Sequence, residues 1–127
     1  MIKNIFIKNF ILIEQLTLDF QDGFSAFTGE TGAGKSILID AISLLKADRA
    51  SVSYVMKGKD KAIIEGTFDL SNDTHALQIL KENGFEDDEE YYTFSREISA
   101  SGKSVARLNR RIIPLSLMRE IVNTQLD

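Results

Sequence analysis

The sequence has no cysteine, no tryptophan, one proline and one histidine among its 127 residues. Without cysteine the chain can form no disulfide and no thiolate metal site. A single histidine leaves no His-rich zinc centre and no Ser-His-Asp triad built from its own residues. One proline and eight scattered glycines provide no Pro- or Gly-rich linker. There is also no internal repeat, so residues 1–127 are expected to form a single domain. Long apolar runs are missing: none approaches the ~18 residues of a membrane helix. The opening lacks the basic stretch and extended apolar core of a secretory leader, so none is expected. Positive charge is not in excess. Acidic residues number 19 and basic residues 15, for a net charge of −4. That balance excludes a wholly basic nucleic-acid binder and leaves room for local basic patches. What remains, 43% hydrophobic and 27% charged, is ordinary globular usage and argues against a disordered chain. A reduced, cytoplasmic setting without membrane contact is expected.

Patterning divides the chain into short elements. Ile2 to Phe10 is rich in Ile and Phe and reads as a strand. Leu16, Leu18 and Phe20 alternate with Thr17 and Asp19, a half-buried strand. A Gln21-Asp22-Gly23 turn leads to a short strand, Phe24 to Thr28, and then to a glycine-rich loop. Ser36 to Leu45 is apolar around most of a helical circumference, which predicts a buried helix. Ile64, Gly66, Phe68 and Leu70 alternate with polar residues as a further strand. A short helix is expected over Ser71 to Asn83, capped by Ser71, Asn72 or Asp73, with Ala76, Leu77 and Leu80 on its apolar face. Tyr91 to Ile98 and Lys103 to Leu108 read as a hairpin joined through Ser-Ala-Ser-Gly. Pro114 suits a helix first turn, and Leu117, Met118, Ile121 and Val122 supply that helix's apolar face. The chain stops at Leu126-Asp127 without a closing element, which suggests a piece of something larger.

One motif carries chemistry. Gly29-Glu30-Thr31-Gly32-Ala33-Gly34-Lys35-Ser36 fits G-x-x-x-x-G-K-[ST], the P-loop. Glycines let the backbone take positive φ and approach an anion with no Cβ in the way. Successive N–H groups then cradle phosphate oxygens, and the following helix adds its N-terminal donors and dipole. Lys35 would reach the β- and γ-phosphates and the Ser36 hydroxyl would ligate Mg²⁺. With Gly at ~7% of residues, a chain of this length matches by chance about 0.5% of the time. The alternative, a glycine-rich turn with a solvated lysine, gives no reason for Lys and Ser at the start of an apolar helix.

Other segments imitate functional motifs. Gly102-Lys103-Ser104 repeats G-K-S, but Glu97 stands where the first glycine should be, so this is a hairpin turn. Ile37-Leu38-Ile39-Asp40 imitates a Walker B segment but lies on the helix after the P-loop, so Asp40 reads as structural. Asp87 to Glu90 reads as a solvated acidic loop, and His75 as a surface position. No apolar strand ending in Asp or Glu offers a Walker B, and no catalytic carboxylate can be placed within the chain. Such a cradle binds nucleotide but should hydrolyse it poorly unaided.

Met1 to Phe10, with Lys8-Asn9-Phe10, followed by Leu16 to Phe20, resembles the start of SMC-like ABC ATPase heads. The run Thr28 to Ile42, then Asp48-Arg49-Ala50, looks like the RecN family of bacterial DNA-repair proteins among them; SMC and RecF proteins tend to have Asn in place of Thr31. Looser matches run through Ile64 to Leu70, Arg96 to Ser99, Gly102 to Ser104 and Ala106 to Asn109, so the resemblance spans essentially the whole chain. It implies an α/β P-loop NTPase fold: the N-terminal lobe of an ABC/SMC-type head, an antiparallel-rich sheet around the P-loop helix. It implies ATP with Mg²⁺, and a C-terminal lobe, beyond a long coiled coil, that supplies signature, Walker B and catalytic glutamate. It further implies a second head that sandwiches ATP in a homodimer, and DNA as partner at the nucleoid. The Q-loop glutamine is expected soon after the last residue; Gln125 is near but is not assigned. Arg110 departs from the family's usual glycine and makes Asn109-Arg110 a poor two-residue hairpin turn.

Basic residues outside the motif form two groups. Lys57, Lys59 and Lys61 are either a solvated loop or contacts to DNA phosphates, sequence-independent and salt-sensitive. Arg107, Arg110 and Arg111 carry the same two readings. Arg49 resembles an arginine that reaches phosphates or DNA in related heads. Three functions follow: an ATPase head in double-strand-break repair, a nucleotide-dependent dimerisation module without turnover, and an unrelated P-loop kinase. The third lacks room for an acceptor pocket and lid.

Overall fold

Among the described residues the alternating segments pair into one six-stranded sheet in the order β2-β1-β3-β4-β5-β6, every neighbouring pair antiparallel. The strands are β1 (Ile2–Phe10), β2 (Ile13–Asp19), β3 (Lys61–Asp69), β4 (Tyr91–Ser99), β5 (Ser104–Leu108) and β6 (Arg111–Ile112). Among the described residues three α-helices accompany them: α1 (Gly32–Leu45), α2 (Thr74–Glu82) and α3 (Leu115–Gln125). The structure is a computed structural model that describes residues 1–20, 32–85 and 91–126, with residues 32–35 as backbone only. The expected strand Phe24 to Thr28 and the acidic run Asp87 to Glu90 lie outside the described residues.

Period-2 patterning decides which face is buried. Register places Ile5, Ile7, Ile64, Gly66, Phe94, Arg96, Ala106 and Leu108 on one face, and α1 packs over β3 and β4 there. Phe68 and Phe94 meet edge to face, with centroids 5.7 Å apart. The other face carries Glu65, Thr67, Thr93, Ser95, Glu97 and Arg107, all half-buried. Its ion pairs, Arg107 to Glu97 at 2.8 Å and Lys61 to Glu97 at 3.4 Å, are solvent-accessible and contribute little to stability.

Gly66 sets how close α1 comes. A Cβ there would stand 2.8 Å from Leu45 Cδ1 and 3.0 Å from Phe68 Cε1. The missing side chain is the space that Leu45 occupies. Buried Ala41, Ile42, Leu44 and Leu45 form the packed side of α1. The expectation of a helix buried all round is corrected: Ile39 is 47% exposed and Ile37 and Leu38 are half-buried. Ile37 and Leu38 pack against the rim of the core, and Ile39 is the exposed apolar residue of the helix among the described ones.

The remaining expectations are adjusted at element ends. Helix α2 begins at Thr74, because the Asp73 side chain caps it through the Ala76 N–H. It ends at Asn83 and Gly84, the latter at φ +84. Ile79 and Leu80 are buried on α2 while Leu77 is half-buried. Pro114 stands just before α3, and all four apolar residues expected on that helix are buried. Gly102, at φ +98, turns the β4–β5 hairpin, as expected of the G-K-S imitation.

The poor turn expected at Asn109-Arg110 is a well-formed two-residue hairpin, with Leu108 opposite Arg111. Both turn residues are left-handed, Asn109 at φ 47 and Arg110 at φ 76. Asn109 is tied down: its N–H donates to the Thr93 carbonyl at 2.9 Å and its Oδ1 accepts from the Thr93 N–H at 2.9 Å. Those bonds hold the turn against the steric cost of a side chain at Arg110.

Two outcomes are expected in thermal or denaturant unfolding. Gly66→Val forces its methyls into Leu45 and destabilises the fold by about 1–3 kcal/mol; unchanged stability would show that α1 does not rest on Gly66. Arg110→Gly relieves the left-handed strain and stabilises by about 0.5–1 kcal/mol.

Candidate nucleotide site and basic surface

Helix α1 opens at Gly32, inside the glycine-lysine-serine run, and continues for 14 residues. The first N–H groups of a helix have no partner within it and face outward with the positive end of the dipole. Ser36 is exposed near that opening. A helix start, a run of glycines and a hydroxyl form a donor set suited to a triphosphate and its Mg²⁺. Gly29, Glu30 and Thr31 lie outside the described residues, as do the side chains at positions 32–35, Lys35 included. Asp40 is half-buried on α1 and His75 is exposed on α2. Among the described residues no group of His, Cys, Asp or Glu could hold a metal ion.

The far end of α1 is as constrained as its start is open. Ala47, at φ 70, reverses the chain. The Ala47 N–H donates to the Leu44 carbonyl and the Asp48 N–H to the Ser43 carbonyl, which closes the helix. Two guanidiniums take carbonyls at this end. Arg96 Nη1 donates to Leu44 and Asp48, each at 2.9 Å, and Nη2 donates to Ser104 Oγ at 2.8 Å. From α3, Arg119 Nη2 donates to the Ala47 carbonyl at 3.0 Å. Arg96 is 1% exposed, the one buried charged residue among the described residues. Desolvation draws its pKa below the usual guanidinium range, Asp48 opposes that, and Arg119 adds to it. Patterning alone gives Arg96 no role, although a signal is present. Tyr92, Phe94, Arg96 and Ile98 share the inward parity of β4, and an arginine in that row calls for acceptors.

Beyond Ala47 the chain enters the basic segment. Arg49, Lys57 and Lys59 are exposed and make no ion pair among the described residues; Lys61 is exposed and leans on Glu97. The segment is braced along its length. Ser51 caps a 3-10 turn at Val52–Tyr54. The Ile11 N–H donates to Tyr54 and the Met56 N–H to the Asn9 carbonyl, each at 2.8 Å. Tyr54 packs on Phe10 with centroids 5.2 Å apart. The Ala100 N–H donates to the Asp60 carbonyl, which brings the β4–β5 hairpin and its exposed Lys103 alongside. In the second basic group Arg107 donates to the Glu97 carboxylate that Lys61 also pairs with, Arg110 is exposed, and Arg111 lies 4.2 Å over the Phe85 ring. Gln125 has a structural role: its Nε2 donates to Asp73 Oδ2 at 2.6 Å, tying the end of α3 to the cap of α2.

Distance separates the two sites. A 14-residue helix rises about 20 Å, so Arg49 stands too far from the opening of α1 to touch a phosphate held there.

A family model described as an AAA domain matches residues 4–120. RecN of Bacillus subtilis is 45% identical over 127 residues, covering all of this chain and 22% of that protein. RecN of Halalkalibacterium halodurans is 41% identical over the same span, again 22% of its length. The chain therefore spans about a fifth of the relatives it matches. The Smc head domain with a coiled coil and joint derived from Pyrococcus yayanosii superposes with a TM-score of 0.70 at 20% identity, covering 98% of this chain and 25% of that one. The resemblance seen in the sequence thus holds along the chain, and the fold is that of an Smc head. The chain belongs to the AAA domain family.

Proposed function

We propose that this chain is the nucleotide-binding N-terminal lobe of an SMC-like ATPase that acts in bacterial double-strand-break repair and recombination, in the cytoplasm at the nucleoid. The observation that carries this reading is a complete P-loop sequence whose last residues open α1, on a fold shared with Smc heads, in a chain similar to RecN throughout. Gly29, Glu30, Thr31, Gly32, Ala33 and Gly34 would present backbone donors to the phosphates of ATP. Lys35 would neutralise the β- and γ-phosphates, and Ser36 would ligate Mg²⁺. The bound metal would offset charge that develops on the phosphates during transfer.

The chain offers no Walker B carboxylate, so turnover is assigned to a C-terminal lobe of the same protein and to a second head that closes over the nucleotide. The exposed Ile39 on α1 supports a further layer on this lobe. Arg49, Lys57, Lys59 and Lys61 form the surface for DNA. Basic residues on such a surface would contact phosphates and read no sequence. A dimerisation module that binds ATP without turnover is the competing reading, and hydrolysis separates the two.

The isolated chain is expected to bind ATP in a magnesium-dependent way with negligible hydrolysis; adding the C-terminal half should restore turnover. Its persistent absence would favour the module. Lys35→Ala should weaken ATP binding by about 10- to 100-fold, the loss of one charged contact. Unchanged affinity by calorimetry would sink the nucleotide assignment. Charge reversal at Lys57, Lys59 and Lys61 should weaken duplex binding by the intact protein and flatten its salt dependence, by about 0.9 in slope per lost phosphate contact. Binding that stays the same across salt would remove DNA from this surface.

A further inference from the structure

We propose that Arg96 is a positioning residue for DNA contact: from inside the core it sets where Arg49 stands on the basic surface. The inference rests on reading Arg49 and its lysine neighbours as a phosphate-contacting surface. Arg96 cannot touch DNA itself, being 1% exposed. What it touches is the backbone just before Arg49. One nitrogen bridges the Leu44 carbonyl, in the last turn of α1, and the Asp48 carbonyl beyond the reversal at Ala47. The other holds Ser104 on β5. The end of α1 and the Asp48-Arg49 turn that follows it are thus fixed to the β4–β5 hairpin, about fifty residues on, by one rigid fork.

A buried charge is a poor way to gain stability, and an apolar side chain of similar volume often serves as well. Planar donors at fixed angles give what an apolar residue cannot, a single geometry for the acceptors around them. The acceptor residue Asp48 directly precedes Arg49, which is exposed and makes no ion pair among the described residues. Loss of the fork frees the Asp48 carbonyl, loosens the reversal at Ala47 and lets Arg49 swing away from its neighbours. The chain then presents the same surface charge with one phosphate contact fewer.

The test measures binding of the intact protein to a linear duplex across a salt series, for Arg49→Ala, Arg96→Met, Arg96→Lys and the double variant Arg49→Ala/Arg96→Met. Arg49→Ala should lower the slope of log affinity against log salt by about 0.9, one phosphate. Arg96→Met should lower it equally, although it removes no exposed charge. The double variant should fall no further, because both changes abolish the same contact. Arg96→Lys should lie between, since an ammonium reaches a carbonyl but cannot span three acceptors. A reduced folded fraction scales affinity at every salt and leaves the slope alone, so the slope separates position from stability. If Arg96→Met does not fold, the milder Arg96→Lys decides by the same slope. An unchanged slope in the Arg96 variants, beside a lowered one in Arg49→Ala, overturns this inference and leaves the DNA surface standing. No shift in Arg49→Ala itself overturns both.

Discussion

The contact of α1 with the sheet is what the rest of the structure depends on. Leu45 lies in the space left by the absent Cβ of Gly66, and Arg96 reaches up from β4 to take the carbonyls at the end of the same helix. The first is a packing contact and the second a polar one, and they fix different things. Packing sets the height of the helix above the sheet. The guanidinium sets where the helix stops and in which direction the chain leaves it. A helix fixed at its end in this way presents a defined opening at its start, where backbone donors and dipole are available to an anion.

The two ends of α1 are therefore electrostatic complements. Unpaired N–H groups at the opening suit phosphate, and carbonyls at the close suit cations. Here Arg96 and Arg119 satisfy the close internally, so no solvent cation is needed there. The basic segment that follows is braced against the β1–β2 turn and the β4–β5 hairpin, and so is placed by the sheet. In the proposed head, nucleotide and DNA would occupy sites about one helix length apart, with the same rigid element between them. The apolar side of α1 that faces outward adds a third surface, and its composition suits another protein layer better than water.

Most of the fold was legible because alternation and caps are local. Each strand read from period-2 patterning is present, and α3 buries the four residues expected of it. Asp73 was one of three possible caps for α2, and only the direction of its side chain selects it. The outer face of α1 misled the reading, because composition reports that a helix can be covered and cannot say what covers it. Asn109-Arg110 misled it as well. Residue preference argued against a tight turn, and two hydrogen bonds between Asn109 and Thr93, sixteen residues apart, overrode the preference. Arg107, Arg110 and Arg111 looked like one patch on paper. The pleat and the turn sent them to Glu97, to solvent and to the Phe85 ring.

By itself the sequence determined what depends on neighbours along the chain: most of the strands and helices and the P-loop spacing, although α1 opens at Gly32, four residues before the Ser36 start that apolar patterning gave it. Those follow from side-chain parity and from glycine, lysine and serine at set intervals, which need no distant partner. Only the tertiary structure decided what depends on residues far apart in number. It brought Gly66 under Leu45, gave the buried Arg96 its acceptors on α1 and β5, and parted Arg49 from the phosphate end of its own helix. Strand order and register made those choices, because the pairing of β3 with both β1 and β4 determines which distant side chains share a face.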